Sequence, residues 1–142
     1  MKNALSWIFA WLLASICTFI FASIAHSQFV LLELVNIDIA IPIGDWIGMT
    51  LSDIIGLSLG YGGVICVAML LCFGLLSLIN KRFKLPIWSY IIFAALAMAV
   101  MLLAMQPILN VTLIAGARTT MGFIAQCCAG LVGGYVFARM RA

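Results

Sequence analysis

Residues 5–25 read LSWIFAWLLASICTFIFASIA, an apolar run between Lys2 and Glu33 that contains no charged side chain. A transmembrane helix needs about 20 consecutive apolar residues to cross a hydrocarbon layer of about 30 Å. The run is long enough for this, and its apolar residues do not alternate with polar ones as in a strand of a membrane barrel. We therefore predict a transmembrane helix over residues 5–25.

The same region has features of a cleavable secretory signal, namely Lys2 before the apolar run and the tripeptide Ser23-Ile24-Ala25 at its end. The apolar core of such a signal is usually about 7–15 residues long. Because the run is longer than that, we expect it to be retained as a membrane span.

Three further apolar runs follow, each bounded by charged residues. They cover about residues 59–79, 87–105 and 119–138. Helices are expected because a helix satisfies its backbone hydrogen bonds internally, where lipid offers no partners. The chain is thus predicted to be an all-α integral membrane protein, with residues 1–142 forming a single domain of four transmembrane helices.

The composition supports the same class: 67% of residues are hydrophobic, 8% are charged, and the mean hydropathy is +1.31. An average soluble domain is about 45–50% apolar and about 25% charged. Seven basic and four acidic residues cannot cover a water-facing surface. A soluble globular domain, a disordered chain and a nucleic-acid binder are excluded, and the lipid bilayer is the expected surrounding.

The charged residues divide between the two sides of the predicted topology. Basic residues in short loops stay in the cytoplasm. We therefore predict a bacterial cytoplasmic (inner) membrane protein with both termini in the cytoplasm. The basic residues on that side are Lys2, Lys81, Arg82, Lys84, Arg139 and Arg141. The acidic residues on the other side are Glu33, Asp38, Asp45 and Asp53. Aromatic residues predicted at the membrane interfaces are Trp7, Tyr61, Trp88 and Tyr135.

The outer loop, predicted over residues 26–58, contains two periodicities. Isoleucines alternate over residues 36–43, which fits a short extended segment whose pairing Pro42 would restrict. From Asp45 the period becomes helical, and we predict a short amphipathic helix over about residues 45–57 with Asp45 as its N-cap. This helix lies in the outer interface or docks on the bundle. Its apolar face consists of Ile47, Leu51, Ile54 and Ile55.

Arg118 is the only basic residue predicted on the acidic side, just before the fourth helix, with Thr119 or Thr120 as the cap. A cation there faces the positive end of the helix dipole, at a cost of about 0.3–1 kcal/mol. We therefore expect an anionic partner. It is either an ion-pairing carboxylate or lipid phosphate, or an anion held in a binding site. The outer carboxylates belong to Asp53, Asp45, Asp38 and Glu33.

His26 lies at the outer end of the first predicted helix. It is either a solvated or capped residue, or part of a proton relay with Glu33 or an aspartate. One histidine cannot supply two axial haem ligands, and the acidic residues around it have no diagnostic metal spacing. We expect no metal and no cofactor. The five cysteines lie in predicted spans without a CxxC motif, and we expect unpaired thiols.

Small residues predict close helix packing. Gly130 and Gly134 form a GxxxG pattern in the fourth helix, and Gly56 and Gly60 form another at the start of the second. Such patterns let helix backbones approach closely, either within one bundle or between copies in a homo-oligomer. Gln126, near the middle of the fourth span, is expected to form a hydrogen bond across a helix interface.

Three functions remain open from the sequence. The leading hypothesis is a non-catalytic small membrane protein, an accessory subunit or an oligomer-forming component of a larger complex. The second is a transporter or permeation element that uses Arg118, the outer acidic residues and Gln126. The third is a membrane enzyme that acts on lipid headgroups through His26. No catalytic residue and no four-helix membrane family is recognised: residues 5–25 lack the membrane-embedded glutamate of small multidrug transporters.

Overall fold

A computed structural model describes residues 2–38, 40–109 and 119–141. Of these residues 93% are helical and none lies in a strand, which confirms the all-α class. The elements are α1 (Lys2–Asn36), α2 (Ile43–Leu57), a π-helical segment (Ser58–Gly62), α3 (Gly63–Phe83), α4 (Ile87–Leu109) and α5 (Thr120–Arg141).

Four helical stretches in the described ranges are long and apolar enough to cross a membrane. This number agrees with the sequence prediction, but two of the stretches are much longer than expected. They are Ala4–Asn36, Ile43–Phe83, Ile87–Met105 and Thr120–Arg141.

The outer loop predicted over residues 26–58 is shorter in the structure, because its first part belongs to α1. α1 continues eleven residues past its predicted end at residue 25, to Asn36. Residues 26–36 contain no proline or glycine, so nothing in their sequence ends the helix. The Asp38 N–H donates to the Val35 carbonyl at 3.1 Å, and Asp38 has a φ of 61°, a left-handed conformation that aspartate tolerates. A turn at residues 37–38 therefore follows α1 within the segment predicted to be extended over residues 36–43, and Pro42 has an extended conformation.

The amphipathic helix predicted over residues 45–57 exists as α2, but it is not a separate element. α2 passes through the π-helical segment directly into α3, so that residues 43–83 form one helical stretch. The predicted span over residues 59–79 is the second half of this stretch. Asp45 is in the first turn rather than at the N-cap, which is Pro42. The Pro42 carbonyl accepts hydrogen bonds from the backbone N–H groups of Asp45 and Trp46 at 3.1 Å.

α1 and the stretch over residues 43–83 form an antiparallel hairpin. As residue numbers rise along this stretch, the numbers of their contacting residues in α1 fall. These contacts fix the register of the two helices along their whole length. The paired residues are Gln28 with Trp46, Ser27 with Asp53, Phe19 with Gly62, Trp11 with Cys66, and Trp7 with Ser77. At 1.5 Å per residue α1 is about 52 Å long and residues 43–83 extend for about 62 Å, both longer than a hydrocarbon layer of about 30 Å.

α5 packs closely against both α1 and α4, and glycines make this possible. A Cβ at Gly134 would lie 2.6 Å from the Tyr90 carbonyl oxygen of α4, and one at Gly130 would lie 2.8 Å from that of Ala94. A Cβ at Gly133 would lie 3.0 Å from the Ala14 carbonyl oxygen of α1. The GxxxG pattern of Gly130 and Gly134 therefore faces another helix of the same chain.

The antiparallel order of the helices separates the charges. The end of the bundle at which α1 begins is named the basic end, and it carries Lys81, Arg82, Lys84, Arg139 and Arg141. The opposite end is named the acidic end, and it carries Glu33, Asp38, Asp45 and Asp53. Thr119 caps α5 at the acidic end, since its hydroxyl oxygen accepts a hydrogen bond from the Gly122 N–H at 3.1 Å. This confirms the predicted cap.

We expect Gly134→Ala to destabilise the bundle by about 1–3 kcal/mol, because an added methyl group overpacks a close helix contact. The measurement is the free energy of unfolding of the purified chain in mixed micelles. Gly63→Ala is the matched control, since a Cβ at Gly63 meets nothing within 4 Å. Equal stability of the two variants would contradict this packing.

Candidate functional site

Buried polar side chains concentrate on one helix and form the candidate site. Among the described residues, the buried polar and charged side chains are those of Ser15, Thr18, Ser23, His26, Ser27 and Gln126. All but Gln126 belong to α1. A buried polar group without a hydrogen-bond partner is costly in an apolar interior. The candidate site therefore consists of these side chains and the residues that contact them.

Gln126 connects three elements near the middle of the bundle. Its side chain is fully buried, and its Nε2 donates to the Ala22 carbonyl oxygen of α1 at 3.0 Å. Its Oε1 accepts a hydrogen bond from the Tyr61 hydroxyl at 2.8 Å. Tyr61 belongs to the π-helical segment. A single amide thus links α5 with both arms of the long hairpin.

Toward the acidic end, Ser27 and Asp53 link α1 with α2. The Ser27 hydroxyl lies 2.7 Å from Oδ2 of Asp53 and 3.1 Å from the Ser23 carbonyl oxygen. His26 is only 8% exposed, and the Asp53 carboxylate interacts electrostatically with its imidazole. An imidazole, a carboxylate and a hydroxyl therefore lie together where α2 packs on α1. The cluster of His26, Ser27 and Asp53 is named the acidic-end cluster.

Further hydrogen bonds hold α1 and α2 in register between this cluster and the tip of the hairpin. The Gln28 Oε1 accepts a hydrogen bond from the Trp46 indole N–H at 2.8 Å, and its Nε2 donates to the Thr50 hydroxyl oxygen at 3.4 Å. The Thr50 hydroxyl in turn donates to the Trp46 carbonyl oxygen at 2.9 Å. These bonds fix the position of Asp53, which follows Thr50 by about one helical turn on α2.

The predicted binding residues separate into two groups. His26 and Asp53 are brought together in the acidic-end cluster. Glu33 and Asp45 are exposed and lie about two helical turns from His26 and Asp53, respectively, along their own helices. Arg118 lies outside the described residues.

The small residues predicted to pack helices also differ in their surroundings. Gly130 and Gly134 face α4, and Gln126 is buried between helices. In contrast, a Cβ at Gly56 or Gly60 would meet nothing within 4 Å. Within the described residues, the second GxxxG pattern therefore brings no helices together.

Tyr61 and Ser27 were missed by the sequence analysis. Tyr61 was assigned to a membrane interface, whereas only 2% of it is exposed and it contacts Gln126. Both residues are polar positions inside long apolar runs, and such positions commonly form hydrogen bonds between membrane helices. Tyr61 lies in the π-helical segment, which the sequence pattern did not indicate.

The acidic-end cluster combines an imidazole and a carboxylate, and further buried hydroxyls of α1 lie toward the basic end. The hydroxyl oxygens of Ser15 and Ser23 are buried without a hydrogen-bond partner in the described part of the chain. The described residues contain no group of three or more His, Cys, Asp or Glu side chains that could hold a metal ion, and all five cysteines are free.

No protein-family model, curated protein or solved structure matches this chain.

We expect Tyr61→Phe to destabilise the bundle by about 1–3 kcal/mol, because it leaves the buried Gln126 carbonyl oxygen without its donor. Thermal unfolding in detergent measures the effect. Tyr135→Phe removes the same hydroxyl from a side chain that is 52% exposed and serves as the control. If both variants unfold like the wild type, the Tyr61–Gln126 bond does not hold the bundle.

Proposed function

We propose that this chain is a small multi-pass protein of the bacterial cytoplasmic membrane that acts as a non-catalytic, oligomer-forming component. We further propose that both termini lie in the cytoplasm, because the basic end would then follow the positive-inside rule. The proposed partners are the lipid bilayer and a second copy of the chain. The observation that supports assembly is the open face of α2.

α2 contributes no buried residue to the bundle. Large apolar side chains recur on it at every fourth position and are exposed. They are Ile43, Ile47, Leu51, Ile55 and, in the π-helical segment, Leu59. Rows of residues spaced by four form the ridges with which helices interlock. This row is named the apolar ridge.

A row of small residues lies directly beside the apolar ridge, also at every fourth position. It consists of Gly44, Gly48, Ser52, Gly56 and Gly60. A Cβ at any of its four glycines would meet nothing within 4 Å. This row, named the small-residue groove, therefore adjoins the ridge without a partner among residues 2–38, 40–109 and 119–141. Ridge and groove are complementary, so a second copy fits the face better than an unrelated surface does.

The length of the hairpin also favours a protein partner over lipid alone. From the Gln126–Ala22 contact, α5 extends about 9 Å to its first residue and α1 about 21 Å to Asn36. The hairpin therefore extends about 12 Å beyond α5 at the acidic end. Ile43 is 80% exposed and Ile47 is 57% exposed in this part. Contiguous exposed apolar patches mark protein or membrane interaction sites, and we propose a second copy of the chain as the occupant.

We expect the wild-type chain to self-associate in detergent and the variant Gly48→Leu/Gly56→Leu to be monomeric. The leucines fill the small-residue groove and keep a second apolar ridge out. Sedimentation equilibrium in density-matched detergent measures the mass against a monomer of 15.4 kDa. Gly74→Leu, a change of the same kind far from α2, leaves the association unchanged. A monomeric wild type, or association that survives both leucines, would contradict the proposal.

The acidic-end cluster supports a second candidate function, proton permeation. Ionisable residues inside an apolar bundle commonly mark proton or ion paths. The hydroxyls of Ser23, Thr18 and Ser15 continue from His26 and Asp53 along α1 toward the basic end. The third hypothesis, an enzyme acting on lipid headgroups, receives less support because His26 is only 8% exposed.

If the chain conducts protons, vesicles that contain it lose an imposed pH gradient faster than empty vesicles. Asp53→Asn then lowers that rate at least tenfold, because it removes the carboxylate beside His26 and Ser27. Asp45→Asn removes an equal charge from an exposed position and leaves the rate unchanged. A pH-sensitive dye trapped in the vesicles reports the gradient. Rates equal to those of empty vesicles would refute this second function.

A further inference from the structure

A cavity of about 680 Å³ opens between all four membrane helices at the basic end. It lies at the opposite end of the bundle from the acidic-end cluster, and neither function proposed above uses it. Its polar and aromatic lining consists of Trp7, Ser77, Asn80, Lys81, Tyr90 and Arg141.

The cavity is electrostatically positive. Lys81 comes from the last turn of α3 and Arg141 from the last turn of α5, so two helices bring their cations to one space. No acidic residue is part of the described lining. A concave site lined by one sign of charge concentrates ligands of the opposite sign.

The neutral polar groups also favour an anion. The Asn80 Oδ1 already accepts a hydrogen bond from the Leu85 N–H at 2.6 Å, which leaves its NH₂ group to donate. The Ser77 Oγ accepts a hydrogen bond from the Trp7 indole N–H at 2.9 Å, which leaves its hydroxyl hydrogen to donate. Each of these groups can therefore donate a hydrogen bond to a ligand that accepts one, such as an anion.

The remaining walls are apolar and leave room for more than a small ion. Trp7, Tyr90 and Ala138 form part of the lining, and a Cβ at Gly74 would meet nothing within 4 Å. An anionic head with an attached organic part therefore fits the space. Basic pockets between membrane helices near the cytoplasmic surface bind anionic lipid headgroups in this way.

We propose that the cavity at the basic end binds a phosphate ester anion, with Lys81 and Arg141 as its charged ligands and Asn80 and Ser77 as hydrogen-bond donors. The phosphate belongs either to an anionic phospholipid or to a soluble molecule. The chemistry of recognition is the same for both sources.

The test is the thermal stability of the full chain in neutral detergent, because a ligand that binds the folded state raises the Tm in proportion to its affinity. Phosphatidylglycerol, phosphatidylcholine and inorganic phosphate are titrated separately. We expect phosphatidylglycerol or inorganic phosphate to raise the Tm and phosphatidylcholine to leave it unchanged. Stabilisation by phosphatidylglycerol alone identifies a lipid as the source, and stabilisation by inorganic phosphate identifies a soluble one.

The variant Lys81→Gln/Arg141→Gln is expected to bind the effective ligand at least tenfold more weakly. Arg82→Gln/Lys84→Gln removes the same charge from the same end but outside the cavity, and should bind like the wild type. Gly74→Leu fills the cavity without changing its charge and is expected to lose binding, whereas Gly63→Leu on the same helix keeps it. The Tm of each variant without ligand reports whether it folds.

Three results would overturn the proposal. One is the absence of stabilisation by either phosphate compound. Another is equal weakening in the two charge variants, which would indicate attraction to the surface as a whole. The third is undiminished binding by Gly74→Leu, which would place the ligand elsewhere.

Discussion

The close contact of α5 with two neighbours is the constraint on which the rest of the bundle depends. Lipid tails are as apolar as leucine, so membrane helices associate through close packing and hydrogen bonds rather than the hydrophobic effect. Gly130 and Gly134 bring α5 against α4, and Gly133 brings it against α1. This approach also places Gln126 within reach of Ala22 and Tyr61. α3, which packs less closely, leaves space for the cavity at the basic end.

Much of the fold could be predicted because charges and apolar runs obey simple length rules. The four candidate spans and the separation of charges follow from composition along the chain. The ends of the long helices could not be predicted from hydropathy. A long apolar helix and a shorter span followed by an apolar loop have the same hydropathy pattern. For the same reason the sequence indicated the helical period of α2 but not its continuity with α3 through the π-helical segment.

The candidate site was predicted only in part. His26 and Asp53 stood out as ionisable residues beside apolar runs, but their proximity depends on the register of the hairpin, which distant pairs such as Trp7 with Ser77 set. The cavity at the basic end was missed because its basic residues were interpreted only as topology markers. The two GxxxG patterns are alike in sequence, yet only that of Gly130 and Gly134 contacts another helix in the described part of the chain, a difference that only tertiary structure reveals.

In the proposed dimer, the α2 helices of two copies cross, and the apolar ridge of each packs beside the small-residue groove of the other. Disulfide cross-linking in native membranes tests this most directly, because a disulfide forms only when two Cα atoms come within about 7 Å. Ser52→Cys places a thiol in the groove, Ser89→Cys places one on α4, and the wild type measures the background of its native cysteines. The account predicts a covalent dimer for Ser52→Cys well above both controls. A Ser52→Cys chain that stays monomeric, or that cross-links no more than Ser89→Cys, would contradict it.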